Sequence, residues 1–159
     1  MSDTQDGWLR EPEQGWIEIE RQDDILRNSF VSRSGSPLSV RYFRSKERAV
    51  RAKVIFGPET EGPPGCAHGG SMAALLDEVM GCAIWSGGYL AVSADLHVHF
   101  RKVLQIPQRC IAEARIVSVD GRKISASGRL CDVDGATLFA EAEGIFLESP
   151  ARFVEKVSP

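Results

Sequence analysis

The stretch Gly69-Gly70-Ser71-Met72-Ala73-Ala74-Leu75-Leu76-Asp77-Glu78-Val79-Met80-Gly81-Cys82-Ala83-Ile84-Trp85 decides the fold. It predicts a helix over 69–85 whose only charges are Asp77 and Glu78. A helix that is apolar on most sides is a buried one. One buried helix needs a sheet large enough to wrap it.

The flanking sequence supplies that sheet. Downstream, Val92, Ala94, Leu96, Val98 and Phe100 alternate with Ser93, Asp95, His97, His99 and Arg101, the period of a strand with one polar face. Arg109 to Val119 reads as a second strand. Asp120-Gly121 turns it into a third over Arg122 to Asp132, and Asp134-Gly135 leads to a fourth over Ala136 to Leu147. Upstream, Val40, Tyr42 and Arg48 to Phe56 suit two strands joined at Ser45-Lys46-Glu47. The loop with Gly62-Pro63-Pro64-Gly65 excludes helix and central strand. The order β-β-helix-β-β-β-β predicts an α+β fold, a mostly antiparallel sheet around one long central helix. Residues 37–150 form the expected domain, with an acidic arm of short elements over 1–36 and a tail over 151–159. In the arm, Trp16, Ile17 and Ile19 anchor one element, Asp23 caps a turn around Ile25 to Arg27, and Ser34-Gly35-Ser36-Pro37 is a break.

Charge and composition narrow the function. The 159 residues fit one domain and carry a net charge of −3. Residues 1–30 hold eight acids and three bases (−5), which leaves +2 for the rest. Neither part has the basic excess of a nucleic-acid binder. Met1 to Gln14 is acidic and polar, unlike a signal or transit peptide. No apolar run approaches the ~18 residues of a membrane span. The four cysteines, Cys66, Cys82, Cys110 and Cys131, include no C-x-x-C pair, which argues against zinc and for reduced, buried thiols in a cytoplasmic chain.

The residues able to carry chemistry gather at the start of the helix. Gly69-Gly70 lets a ligand approach the backbone, and free N–H groups with the helix dipole favour a developing negative charge. The same glycines also suit a tight turn. Asp77 lies seven residues beyond Gly70, on nearly the same face as the small residues Ala73, Ala74 and Gly81. A carboxylate on such a face is costly to bury unless it is paired or used. Glu78 points about 100° away and reads as the more solvated or interfacial acid. Gly70 and Asp77 stand about 10 Å apart along one helix, too far to act on one carbonyl. A two-fold dimer with antiparallel helices brings Gly70 of one chain near Asp77 of the other. Ser93 either orients the carboxylate or a water, or is an ordinary strand serine. Asp95, His97 and His99 share its face, but solvation explains them better than metal binding. His68 either polarises a substrate or bonds the loop. Arg101-Lys102 and Arg122-Lys123 are solvated strand ends that could meet phosphate.

Together these residues resemble a known family. Gly62-Pro63-Pro64-Gly65-Cys66-Ala67-His68-Gly69-Gly70 through Leu75-Leu76-Asp77 is similar to the H-G-G helix start of hotdog-fold acyl-CoA thioesterases of the phenylacetate-pathway (PaaI) type. It looks closest to thioesterase superfamily members 4 and 5 of animals. Ser93-Ala94-Asp95-Leu96-His97-Val98-His99-Phe100 resembles the family's T-x-D/N-L-x-V-x-F strand, and Ala140 to Phe146 its last strand. The resemblance implies a hotdog fold and hydrolysis of an acyl-CoA to a free acid and coenzyme A, with no metal or redox cofactor. It implies that the Gly70 N–H polarises the carbonyl, with Gly69 beside it and His68 supporting that end. Asp77 of the other subunit is then general base or nucleophile, assisted by Ser93. Lys102 aligns with a basic residue that meets coenzyme A, and Arg101, Arg122 and Lys123 are further phosphate contacts. Lys102-Val103 stands where Arg-Pro is usual, and no Asn precedes His68. The partners expected are the acyl-CoA and further copies of this chain, as dimer or tetramer, with neither nucleic acid nor membrane. The rival readings are an acyl-CoA binding or sensing module without turnover, and a hydratase or dehydratase.

Overall fold

The computed structural model describes residues 3–20, 26, 28–47 and 49–149. Its elements are α1 (Asp3–Arg10), β1 (Ile17–Glu18), β2 (Leu38–Arg44), β3 (Val50–Phe56), α2 (Gly69–Ser86), β4 (Ala91–Phe100), β5 (Gln108–Asp120), β6 (Lys123–Asp132) and β7 (Leu138–Glu148). The strands form one sheet in the order β1-β2-β3-β5-β6-β7-β4, with every neighbouring pair antiparallel. This is the hotdog arrangement, and it bears out the α+β expectation. The two Asp-Gly turns close their hairpins with Gly121 at φ 56° and Gly135 at φ 73°, the left-handed region where glycine is unstrained.

The sheet wraps α2, as its sequence requires. Leu75, Leu76, Val79 and Met80 have no exposed surface. They meet Ala52, Val54 and Phe56 of β3, Ala112 and Ala114 of β5, Ile124 and Ala126 of β6, and Ala140 and Ala142 of β7 in one core. Small side chains dominate the strands where they face the helix, because a helix at packing distance leaves little room. At Gly128 a Cβ would come within 3.3 Å of both Leu76 and Met80.

The N-terminal segment covers part of the other face of the sheet. On β3, Val50, Ala52, Val54 and Phe56 belong to the main core, so Arg51, Lys53 and Ile55 point the opposite way. There Trp16 packs on Phe43 at 5.6 Å, with the Arg51 guanidinium 5.2 Å from the Trp16 ring. Lys53 pins the segment. Only 1% exposed, its ammonium donates to the carbonyls of Trp8 (3.2 Å) and Glu11 (2.7 Å) and pairs with the Glu13 carboxylate at 2.8 Å. It also lies 4.9 Å from the Trp8 ring. Three acceptors match the three donors of a lysine, so the charge is buried without an unsatisfied proton. The sequence reading expected short elements here, and β1 falls at Ile17, but α1 was not foreseen. The turn expected at Asp23 and 25–27 lies outside the described residues except Leu26.

The Lys53 contacts generate a prediction. Lys53→Met keeps the apolar stem but strands two partly buried carbonyls and the Glu13 carboxylate. It should lower unfolding free energy by about 1–3 kcal/mol. It should also speed proteolytic cleavage N-terminal to β2. Urea unfolding and timed proteolysis read the two effects.

Candidate active site

The loop before α2 is pinned so that the helix starts at a defined place. The Gly62 N–H donates to Cys66 O (2.9 Å), the Ala67 N–H to Leu104 O (2.9 Å) and the His68 N–H to Thr60 O (2.7 Å). A Cβ on Gly62 would meet the His68 Cα at 2.8 Å, so only glycine allows this approach. His68 is the N-cap of α2. Its Nδ1 accepts the Gly70 N–H at 2.9 Å, which puts the proton of the neutral ring on Nε2.

That cap corrects the expectation for Gly70. Its N–H is taken by His68 and is not free to polarise a substrate. The Gly69 N–H has no hydrogen-bond partner among the described residues and is the open donor at this end. The Phe100 ring lies against Gly69, where an added Cβ would come within 3.2 Å of it.

Asp77 sits two turns further along the unbroken helix, about 12 Å from Gly69 by helix rise. Its Oδ1 is buried with no hydrogen-bond partner among the described residues. Asp77 lines a cleft of about 410 Å³ between α2, the start of β4, Leu26 and residues 29–31. Glu78 lines the same cleft but is bound. Ser29 donates to its Oε2 and Tyr42 to its Oε1. The expectation that Glu78 is the solvated acid is therefore corrected: a buried tyrosine and the N-terminal segment hold it. Burial lifts its carboxyl above the ordinary value of 4.5; the Tyr42 and Ser32 hydroxyls oppose the lift, and the Asp77 charge adds to it. The same contact and burial push the Tyr42 phenol well up.

Ser93 also lines this cleft, and strict alternation placed it wrongly. A β-bulge between Ser93 and Asp95 changes the phase of β4. Ser93 pairs with the buried Phe146 and lies on the helix side, as do Leu96 opposite Gly144 and Val98 opposite Ala142. Asp95, His97 and His99 lie on the outer face instead. His97 Nε2 is 3.3 Å from Asp95 Oδ1 there. No group of three or more metal-ligating side chains occurs among the described residues.

The basic residues are not brought together in one chain. Arg101 and Lys102 follow the end of β4 nearest the helix start. Arg122 and Lys123 adjoin Glu148, opposite Ala91 at the other end of β4, about 30 Å away. Arg101 is bound to Glu141 (Nε–Oε1 2.8 Å), and Arg122 donates to Glu148 O at 3.0 Å. Lys102 and Lys123 are exposed. The sequence reading missed Ser29 and Tyr42. Tyr42 reads only as a strand residue, and Ser29 is 49 residues from its partner, so no local pattern marks either.

Comparisons with known proteins agree with this fold. Residues 64–139 match the family described as the thioesterase superfamily. Over 107 residues the chain is 29% identical to the mouse acyl-coenzyme A thioesterase THEM5, covering 67% of this chain and 43% of that protein. Over 92 residues it is 32% identical to the bovine acyl-coenzyme A thioesterase THEM4, covering 58% of this chain and 38% of that protein. The matched stretch thus spans less than half of these relatives. A thioesterase superfamily protein of known crystal structure superimposes with a TM-score of 0.73 at 27% identity, covering 92% of this chain and 74% of that one. No helix among the described residues is long and apolar enough to cross a membrane.

The bound acid generates a prediction with a definite sign. A carboxyl raised by folding holds its proton to higher pH in the folded chain than in the unfolded one. Its contribution to stability is full below the ordinary value of 4.5 and is lost as pH rises through the raised value. Glu78→Gln cannot ionise. Urea unfolding of both proteins should therefore show the stability difference moving in favour of the variant between pH 4 and pH 7.5. A difference that is flat, or moves the other way, contradicts the assignment.

Proposed function

Residues 64–139 belong to the thioesterase superfamily, and on that premise we propose that the chain hydrolyses an acyl-CoA thioester to a carboxylic acid and free coenzyme A. The observation that carries the reading is the buried Asp77 Oδ1, unpartnered in a cleft that also holds Ser93. An orphaned carboxylate oxygen costs stability, and an acid kept at that cost is one available to a substrate.

The chemistry needs three parts. The Gly69 N–H, at the positive end of α2, stabilises the oxyanion as the thioester carbonyl is attacked. His68 shapes that end by capping the helix. Asp77 supplies the attack in one of two ways. As base it takes a proton from water while the oxygen bonds to the acyl carbon, after which the C–S bond breaks and the thiolate leaves. As nucleophile its oxygen bonds to the acyl carbon, the C–S bond breaks and the thiolate leaves, and water then opens the resulting anhydride. Ser93 holds the carboxylate or the water. Lys102, beside the helix start and with no carboxylate partner among the described residues, is the first candidate for coenzyme A phosphate, with Lys123 a second. No metal or redox group enters either route. His68 serves as a cap, a role that hydration chemistry does not require, and this favours hydrolysis over the hydratase reading.

Gly69 and Asp77 lie too far apart on one helix to share a substrate. The site therefore combines Gly69 of one chain with Asp77 of a second. The geometry of β4 supports such a pairing. It is the last strand of the sheet, and Val92 (58% exposed) and Phe100 (54%) stand open along it. The chain then works as a dimer or a larger assembly.

Two measurements test the reading. Asp77→Asn should reduce thiol release by at least about 10²-fold while acyl-CoA binding persists. Retention of most of the rate removes Asp77 from the chemistry. Gly69→Val should be inactive too, since its side chain meets the Phe100 ring. Co-refolding the two variants should restore about a quarter of the wild-type sites, because half of randomly mixed dimers carry one intact site of two. No recovery argues against a site shared between chains.

A further inference from the structure

We propose that the cavity at the C-terminal end of α2 is a second ligand site, for a free carboxylate with a hydrocarbon tail. The tail fills a gap beside β5, and the carboxylate meets Arg44 and Arg115. The site is separate from the one proposed for hydrolysis, and the inference does not rest on that reading.

The gap follows from strand lengths. β3 starts at Val50, opposite Ala114, while β5 runs on to Asp120. Residues 116–119 of β5 therefore have β6 on one side and no β3 partner on the other. The turn from β2 to β3 is fixed beside this gap by the Ser45 N–H, which donates to Ala49 O at 3.0 Å. The end of α2 closes a further side. It approaches β5 so closely that a Cβ on Gly87 would meet Ile116 Cδ1 at 2.8 Å. What remains is a cavity of about 760 Å³, within the roughly 300–1,000 Å³ of small-molecule sites.

The cavity has the chemistry of a site for an apolar anion. Ala49, Val50, Ala83, Tyr89, Ile116 and Val119 form its walls. Val119 is 43% exposed, apolar surface that the main core leaves uncovered. Arg44 and Arg115 stand on the border, and neither has a hydrogen-bond or carboxylate partner among the described residues. Glu47 borders the cavity too, but it pairs with Arg51 at 3.7 Å. The helix end offers little to a cation. The carbonyls of Ala83, Ile84 and Trp85 already accept the N–H groups of Gly87, Gly88 and Tyr89. The open charges are thus two guanidiniums, whose planar forks suit a carboxylate. Arg44 pairs with Val50 and Val50 with Ala114, so the arginine backbones stand two strands, about 10 Å, apart. Two long side chains can close on one carboxylate across that distance.

This cavity is distinct from the cleft beside Asp77. No residue borders both. Ser86, on the cavity, lies nine residues beyond Asp77 and so about half a turn round the helix. The two also differ in sign. Asp77 and Glu78 in the cleft repel a free carboxylate, and the arginines here attract one.

The test titrates the full chain with octanol, octanoate and decanoate and reads binding by calorimetry. Octanoate should bind more tightly than octanol. Decanoate should bind more tightly still, since each buried methylene strengthens binding about fourfold. Arg44→Gln and Arg115→Gln change exposed side chains, so both should fold. Each should weaken decanoate about fivefold and leave octanol unchanged. Ser86→Phe puts a ring into the cavity from the last turn of α2 and should weaken decanoate and octanol alike, by at least about tenfold. Equal affinity for octanoate and octanol overturns the inference, as do arginine variants that bind decanoate like the wild type. Decanoate that enters the other cleft instead would gain affinity in Asp77→Asn and ignore Ser86→Phe, and that result overturns it as well.

Discussion

The structure depends on the burial of α2. Its residues from Met72 to Ile84 include eight buried apolar side chains, and no single neighbouring element could cover them. The sheet must curl round the helix, and five of its strands contribute to the core. This requirement also determines where chemistry can occur. A helix enclosed on most sides presents only its two ends and one narrow stripe. The N-terminal end carries His68 and Gly69, and the stripe carries Ala74, Asp77 and Gly81.

Two acids stand side by side on that stripe, and the structure treats them differently. Glu78 has both oxygens occupied, by Tyr42 from β2 and Ser29 from the N-terminal segment. Asp77 has a buried oxygen with no partner among the described residues. Hydrogen bonding all acids would give a more stable helix and an inert one. Leaving both unpaired would place two charges in adjacent, partly desolvated positions, a cost the fold would have to offset elsewhere. One bound acid and one open acid satisfy both demands. The bound one also joins the helix to a segment that the core alone holds loosely at Phe30.

Local chemistry was readable in the sequence, and long-range chemistry was not. The hairpins at Asp120-Gly121 and Asp134-Gly135, the helix from Gly69 and the breaks at Pro37 and Gly62 each depend on a few neighbouring residues. All fall where those residues predict. The position of Asp77 in a cleft followed from the small residues around it. The errors have different causes. The bulge after Ser93 adds one residue to a ladder whose partner strand begins 45 residues later, and period-two counting cannot detect it. The capture of the Gly70 N–H by His68 depends on a side-chain rotamer, and the sequence showed only that a polar residue precedes two glycines. Helix α1 is held by Lys53, far along the chain, whose two carbonyl contacts leave no pattern in residues 3–10.

The correction at Gly70 strengthens the case for a shared site. If the Gly70 N–H were the donor, about 10 Å of helix would separate it from Asp77; with Gly69 the separation grows to about 12 Å. Neither distance can shrink, because the helix between them is unbroken and buried. A water, a carbonyl carbon and a carboxylate must lie within about 3 Å of one another to react. Under the proposed hydrolysis, a single chain would have an oxyanion donor without an attacking group at one end, and an attacking group without a donor two turns away. Two antiparallel copies would supply both missing halves at once. The edge strand β4 runs beside both groups, with Ser93 near Asp77 and Phe100 against Gly69. Pairing along that strand is thus the association that would also assemble the proposed site.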